Sequence, residues 1–309
     1  LFVPKEKFTF MPIPSFMSAN PPHIAKKIRE LGNGYSPEIL QETVRIYLPL
    51  LARAPRNSAK VTRNVPYGPD ERHRLDVYTP ANKSDMPLPI LIFVHGGGFT
   101  SGHKREYSSI GYYFARHGIL TVIPNYRLAP ENKWPAGPED IASILKWIGL
   151  HGSRFGGDTD RVFLIGHSAG AAHISGYMFF EDFQLGDGDG VIGAILMSGP
   201  TYDTTQLSKA DMAYYGEDKS KHSSMSVIHH IDGCKIPLFI VFAEFDTTVV
   251  HDQNHILINA LFERDRVLPI VKGLMGHNHF SGIMHINTRD ESIGPDILEF
   301  IKILSSSKP

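Results

Sequence analysis

"RVFLIGHSAGAAHISG", residues 161–176, decides how this chain is read. A short apolar run, Val162 to Ile165, leads straight into Gly166-His167-Ser168-Ala169-Gly170 and then into small residues suited to a helix. Strand, sharp turn and helix in that order are the setting a Gly-x-Ser-x-Gly nucleophile elbow requires. Ser168 then sits on a strained turn, so the residues two before and two after it must be nearly free of side chain, and both are glycine. The turn also sets Ser168 at a helix N-terminus, where unpaired N–H groups and the helix dipole favour developing negative charge. A Gly-Ser turn of no consequence is the bland alternative, and the flanking strand and helix argue against it.

Working outward, "HRLDVYT" alternates like a half-buried strand. "PILIFVH" (89–95), "ILTVIPNY" (119–126), "RVFLIG" (161–166), "VIGAILMS" (191–198), "IPLFIVFAEF" (236–245) and "VLPIVKG" (267–273) are short continuous apolar runs. Such runs suit strands buried on both faces of a mostly parallel sheet. Helix-like segments lie between them, among them "PEDIASILKWIG" and "VVHDQNHILINALFERD". The alternation predicts an α/β fold with an open, doubly wound sheet, whose ligand site lies beyond the carboxyl ends of the strands. Upstream, residues 1 to about 22 are rich in Phe and Pro and read as an extended arm. Two amphipathic helices follow, "HIAKKIREL" and "SPEILQETVRIYLPLLA", the second with Ser36 as N-cap and Pro37 at its first position.

Two other strand ends carry chemistry. In "LIFVHGGGFTSG" the glycines let backbone N–H groups approach an oxyanion, so Gly96 and Gly97, with the Ala169 N–H, are the expected donors. His95 is read as orienting that loop and Gly98 as permitting its turn. A phosphate loop is the rival, but the Lys-Ser/Thr pair of a P-loop does not follow. A nucleophilic serine also needs a base and an orienting carboxylate. "IVFAEFDTTVV" offers Asp246 at the mouth of a strand, with Glu244 as competitor two residues earlier. "LMGHNHFSG" (274–282) then supplies His277 and His279. One of the two is expected to meet Ser168, and the residues alone leave open which.

"HGGGF", "NYRLAPENKWPAGPEDI", "GHSAG", the Asp246 segment and a late histidine occur in that order. Together they resemble the α/β-hydrolase superfamily, specifically the hormone-sensitive-lipase-like carboxylesterases. "YGPDERHRLDVYTP", and His167 where many of that family carry Asp, lean toward the neighbouring feruloyl-esterase-like and kynurenine-formamidase-like groups. The resemblance covers roughly residues 60 to 305. It implies a division into an N-terminal arm with cap helices (1–58) and an α/β-hydrolase catalytic domain (59–309). It also implies a Ser168–His279–Asp246 triad, because the family's histidine reads as Gly-x-x-His and Gly276 to His279 fits that frame; His277 stays in reserve. Phe99, Trp134 and His167 are expected at the substrate, and Arg127 and Glu131 as an ion pair behind the oxyanion loop. Hydrolysis of small or aryl esters is the implied activity. Alternatives are an amidase or arylformamidase using the same triad, and a non-catalytic binding protein on this fold. Receptors of that last kind typically lack the triad histidine. A lipase with interfacial activation would need a long amphipathic lid, and none is evident.

Composition excludes other classes. The 309 residues carry a formal net charge of −1 and no basic block, so neither nucleic acid nor a polybasic membrane anchor is expected as partner. Hydrophobic residues make up 42%, enough for a large core, yet no apolar run is long enough to span a bilayer. The single cysteine, Cys234, cannot form an internal disulfide, which favours a reducing compartment. The expectation is cytoplasmic, with secretion left open because the sequence begins at Leu1 rather than Met. Neither cofactor nor metal is expected: "HDQNH" (251–255) lacks the glutamate of a zinc helix, and "GDGDG" (186–190) lacks the further ligands of a calcium loop. A small-molecule ester is the expected partner, and an exposed edge strand would allow a homodimer.

Overall fold

A computed structural model of the chain describes residues 20–82, 84–186 and 188–306. The arm expected up to about residue 22 lies, through residue 19, outside the described residues. Eight strands form one sheet in the order β1-β2-β4-β3-β5-β6-β7-β8. They are β1 (Ala59–Pro66), β2 (Arg74–Pro80), β3 (Leu88–Val94), β4 (Leu120–Pro124), β5 (Gly157–His167), β6 (Val191–Met197), β7 (Leu238–Phe245) and β8 (Ile270–Asn278). β1–β2 and β2–β4 pair antiparallel; every other neighbour pair is parallel. The mostly parallel α/β sheet expected from the sequence is the one observed.

Alternation along the central strands explains why their apolar runs are continuous. Ile90, Ile92, Val94, Leu164, Leu196 and Ile240 face one core. Their chain neighbours Leu91, Phe93, Phe163, Ile165, Ile195 and Val241 face the other. Both sets are essentially inaccessible to water, and each such side chain contributes about 1.5–3 kcal/mol by leaving it. The first core is closed by α4 (Ala136–His151), α5 (Ala169–Phe179) and α8 (Thr248–Asp265). The second is closed by α3 (Ser108–Arg116) and α10 (Gly294–Ser306). Every residue of α5 is buried.

Three expectations need correction. β1 was not anticipated, because "AKVTRNVP" is a half-exposed edge strand with little apolar content. The last strand begins and ends later than 267–273 and takes in Leu274 to Asn278. Its partner β7 shifts register between Ala243 and Phe245, which lets pairing resume at Asn278. Arg127 pairs with Asp140 at 2.7 Å and Glu139 at 2.9 Å, not with Glu131. Asp140 is fully buried, so its carboxylate needs the guanidinium, the Arg127 N–H at 2.7 Å and His73 at 3.1 Å.

Of the N-terminal helices, α1 (Pro22–Leu31) lies against β8 and α2 (Pro37–Ala52) packs on α1. Ser36 caps α2 by accepting the Ile39 N–H, and Pro37 occupies the first helical position. Ile24, Ile28 and Tyr47 pack with Phe245 in a small separate core. Asn20 donates to the Gly276 carbonyl at 2.9 Å, and Asn278 donates to Thr43 Oγ1 at 2.9 Å. Among the described residues no helix is long and apolar enough to cross a membrane.

Candidate active site

The turn after β5 puts Ser168 at φ 54°, a conformation costly for any residue with a side chain. The backbone is wedged there. A Cβ at Gly170 would lie 2.1 Å from the Val94 carbonyl oxygen, and one at Gly166 would lie 2.5 Å from the Gly170 backbone. Glycine at both positions is therefore a requirement of close approach. The Ser168 N–H donates to the Met197 carbonyl at 2.9 Å, fixing the turn to the end of β6. Ser168 itself stays partly exposed.

Ser168 Oγ donates to His279 Nε2 at 2.9 Å, and His279 Nδ1 donates to Asp246 Oδ1 at 2.7 Å. His277, in β8, points the other way, toward Ser281 and Ser292. Asp246 is fully buried. Burial alone would raise its carboxyl pKa, but hydrogen bonds from His279, Ser198 and the Ala243 N–H outweigh this and hold it below the ordinary value. Ser198 Oγ and the Ala243 N–H both donate to Oδ2, each at 2.7 Å. Glu244, the sequence competitor, instead accepts the Gly276 N–H at 2.7 Å and faces Arg29 at 3.7 Å.

The glycine loop after β3 is bent by its own carbonyls. Gly97 O accepts from Thr100 N, Ser101 N and Ser101 Oγ, and Gly96 O accepts from His95 Nδ1 at 2.7 Å. Gly97 has φ 138°, and a Cβ there would lie 2.1 Å from the Ser101 carbonyl oxygen. A Cβ at Gly96 would come within 3.0 Å of the Ser168 side chain, so this backbone lies directly against the serine. Ala169, the third expected donor, opens α5 beside it. His95 stacks on Tyr126 at 4.4 Å, and burial pushes its pKa down to about 3, so it is a neutral brace.

Two residues expected at the substrate, Phe99 and His167, are almost fully buried. Phe99 is 1% exposed, stacked on Tyr214 at 4.7 Å and edge-on to His173. It forms the floor of an aromatic cluster rather than a free surface. His167 is 3% exposed and donates from Nε2 to the His279 carbonyl at 2.9 Å. Burial pushes its pKa down to about 3, so the ring is neutral and serves the loop of His279. Trp134 is half-buried, stacked on Tyr215 at 5.8 Å. Sequence reasoning missed Ser198 and Tyr35. Tyr35, in the α1–α2 connection, brings its ring to 5.6 Å from His279 and is 45% exposed. Ser198 follows an apolar run like any strand-end residue, and nothing local marks it.

A family model described as BD-FAE matches residues 75–181. Esterase B from Lactobacillus rhamnosis superposes with a TM-score of 0.73 at 20% identity, over 92% of this chain and 96% of its own. The fold is that of the α/β hydrolases. The chain is 35% identical over 136 residues to a probable isoprenylcysteine alpha-carbonyl methylesterase of Arabidopsis thaliana, across 43% of the chain and 28% of that relative. It is 31% identical over 180 residues to a versiconal hemiacetal acetate esterase of Dothistroma septosporum, across 55% of the chain and 53% of the relative. The chain thus spans about half, or less, of the curated relatives it matches.

Proposed function

We propose that this chain is a serine carboxylesterase of the α/β-hydrolase type, acting by acyl transfer. One observation carries the reading: Ser168 Oγ, His279 and Asp246 lie in an unbroken hydrogen-bonded line of 2.9 and 2.7 Å at the carboxyl ends of β5 and β7. The esterases among its relatives agree with it. Ser168 attacks the ester carbonyl as His279 Nε2 takes its proton. Asp246 keeps the proton of His279 on Nδ1 and stabilises the imidazolium that forms. The N–H groups of Gly96, Gly97 and Ala169 receive the oxyanion. His279 then protonates the leaving alcohol, and water attacks the acyl-enzyme by the reverse sequence.

The experiment is turnover of p-nitrophenyl butyrate and a matched anilide, with fluorophosphonate labelling read by mass spectrometry. Ser168 takes the label, and Ser168→Ala and His279→Ala each lose at least about 10⁴ in kcat/KM. A label on another residue, or a Ser168→Ala protein of full activity, overturns the reading. Preference for the anilide would keep the triad and change the leaving-group class to an amine.

A further inference from the structure

Behind the His279 loop lies a second group of chemically capable side chains that the acyl-transfer scheme does not use. His277 is the next-to-last residue of β8, His285 follows α9 (Ser281–Met284), and Asp290 and Ser292 lie on the segment leading to α10. His277 and His285 are fully buried, and Asp290 and Ser292 are 4% and 7% exposed. Ligand atoms of the two histidines and Asp290 all lie within 4.8 Å of one another.

Each of these residues is held by one atom while another is offered to the centre. His285 Nδ1 donates to the Ser281 carbonyl at 2.9 Å, which puts its proton on Nδ1 and leaves Nε2 a bare lone pair. That Nε2 is buried without a hydrogen-bond partner. Asp290 Oδ1 accepts from Ser292 N at 3.1 Å and Ser292 Oγ at 2.6 Å, while Oδ2 is buried without a hydrogen-bond partner. His277 Nδ1 meets Ser281 Oγ at 3.2 Å, and its Nε2 faces Asp290 Oδ2 at 3.4 Å and Ser292 Oγ at 3.2 Å. Orienting ligands by a bond to their other atom is how proteins prepare metal donors.

We propose that His277 Nε2, His285 Nε2 and Asp290 Oδ2, with the Ser292 hydroxyl beside them, form a binding site for a divalent cation of the zinc class. Two imidazoles and one carboxylate are a donor set that zinc favours. A cation about 2.1 Å from tetrahedral donors sets them about 3.4 Å apart, the separation found between His277 and Asp290. The ion would supply positive charge beside this buried carboxylate. It would also tie the end of β8 to the following loop, two residues from His279. Its role is structural, since Ser168 and Asp246 lie on the other side of the strand end. This site departs from the sequence expectation of a metal-free chain: its residues span 277 to 292 without a recognisable ligand spacing.

The test is the metal content of the full chain, expressed in minimal medium with zinc and, separately, with cobalt. Extensively dialysed protein retains about one ion per chain. X-ray absorption then finds two imidazole ligands, and the cobalt form shows a tetrahedral visible spectrum. Asp290→Asn and His285→Gln each lower retention at least about tenfold, whereas His279→Ala retains the ion. Occupancy raises the melting temperature by on the order of 5 °C. Wild-type protein that keeps less than about a tenth of an equivalent overturns the proposal. So does an absorption spectrum without two imidazoles, which needs no variant to fold. Loss of the ion in His279→Ala would assign it to the serine site and equally refute the proposal.

Discussion

Asp246→Asn isolates what the orienting carboxylate does, because the surroundings dictate how an amide must sit. Three donors converge on Asp246: His279 Nδ1 on Oδ1, and Ser198 Oγ with the Ala243 N–H on Oδ2, all at 2.7 Å. Asparagine offers one acceptor oxygen and one NH₂ group. Ser198 can rotate its hydroxyl away, but the Ala243 N–H is fixed by β7 and cannot. The amide oxygen is therefore drawn to the Ala243 side, and the NH₂ is driven against His279 Nδ1. His279 relieves that clash by moving its proton to Nε2, where it can no longer accept from Ser168. The expected loss is about 10⁴ in kcat/KM, equivalent to about 5 kcal/mol in the barrier. Steady-state hydrolysis of p-nitrophenyl butyrate measures the loss, and ¹⁵N chemical shifts of His279 report the tautomer. Retention of activity within about tenfold, or a proton still on Nδ1, would refute the reasoning.

Other expectations follow from the same geometry. The Asp246 carboxyl has a depressed pKa in the folded chain, so its contribution to stability is complete above the ordinary value of about 3.9 and is lost as pH falls through the lower folded value. The stability of Asp246→Asn, followed by urea unfolding at successive pH values, should be flatter across that acid range. Gly170→Ala would drive a methyl group to 2.1 Å from the Val94 carbonyl oxygen, where both partners are backbone. Its cost exceeds about 3 kcal/mol, visible in urea unfolding. His167→Ala removes the donor to the His279 carbonyl and lowers kcat/KM by about 10–100-fold, while His167→Gln, which returns an N–H, recovers most of it. Tyr35→Ala, at a residue 45% exposed, changes KM for acyl chains longer than acetyl several-fold and leaves the melting temperature nearly unchanged.

The features legible in the sequence were those whose physical demand is local. Gly166 and Gly170 mark the elbow because the turn itself excludes side chains there. The central strands announce themselves because burial on two faces fills the run with apolar residues. What stayed hidden depends on partners far along the chain. β1 alternates weakly because one face is open to water. Ser198 gains its meaning from a carboxylate 48 residues later. Glu131 adjoins Arg127 in sequence, but the buried carboxylate that needs the guanidinium is Asp140, at the start of α4. Phe99 follows the glycine loop and reads as a pocket wall, yet Tyr214, 115 residues on, covers it with a parallel ring.

The bonds from Asn20 to the Gly276 carbonyl and from Asn278 to Thr43 give the N-terminal helices an unusual place in the molecule. They hold the Gly276 carbonyl and the Asn278 side chain, one on each flank of His277, and stop one residue short of His279. A deletion through residue 52 would therefore be a poor way to ask what those helices select. It would slacken the segment that aims the imidazole, so every ester would slow together, and the defect would register in the chemical step before it registered as a change of taste.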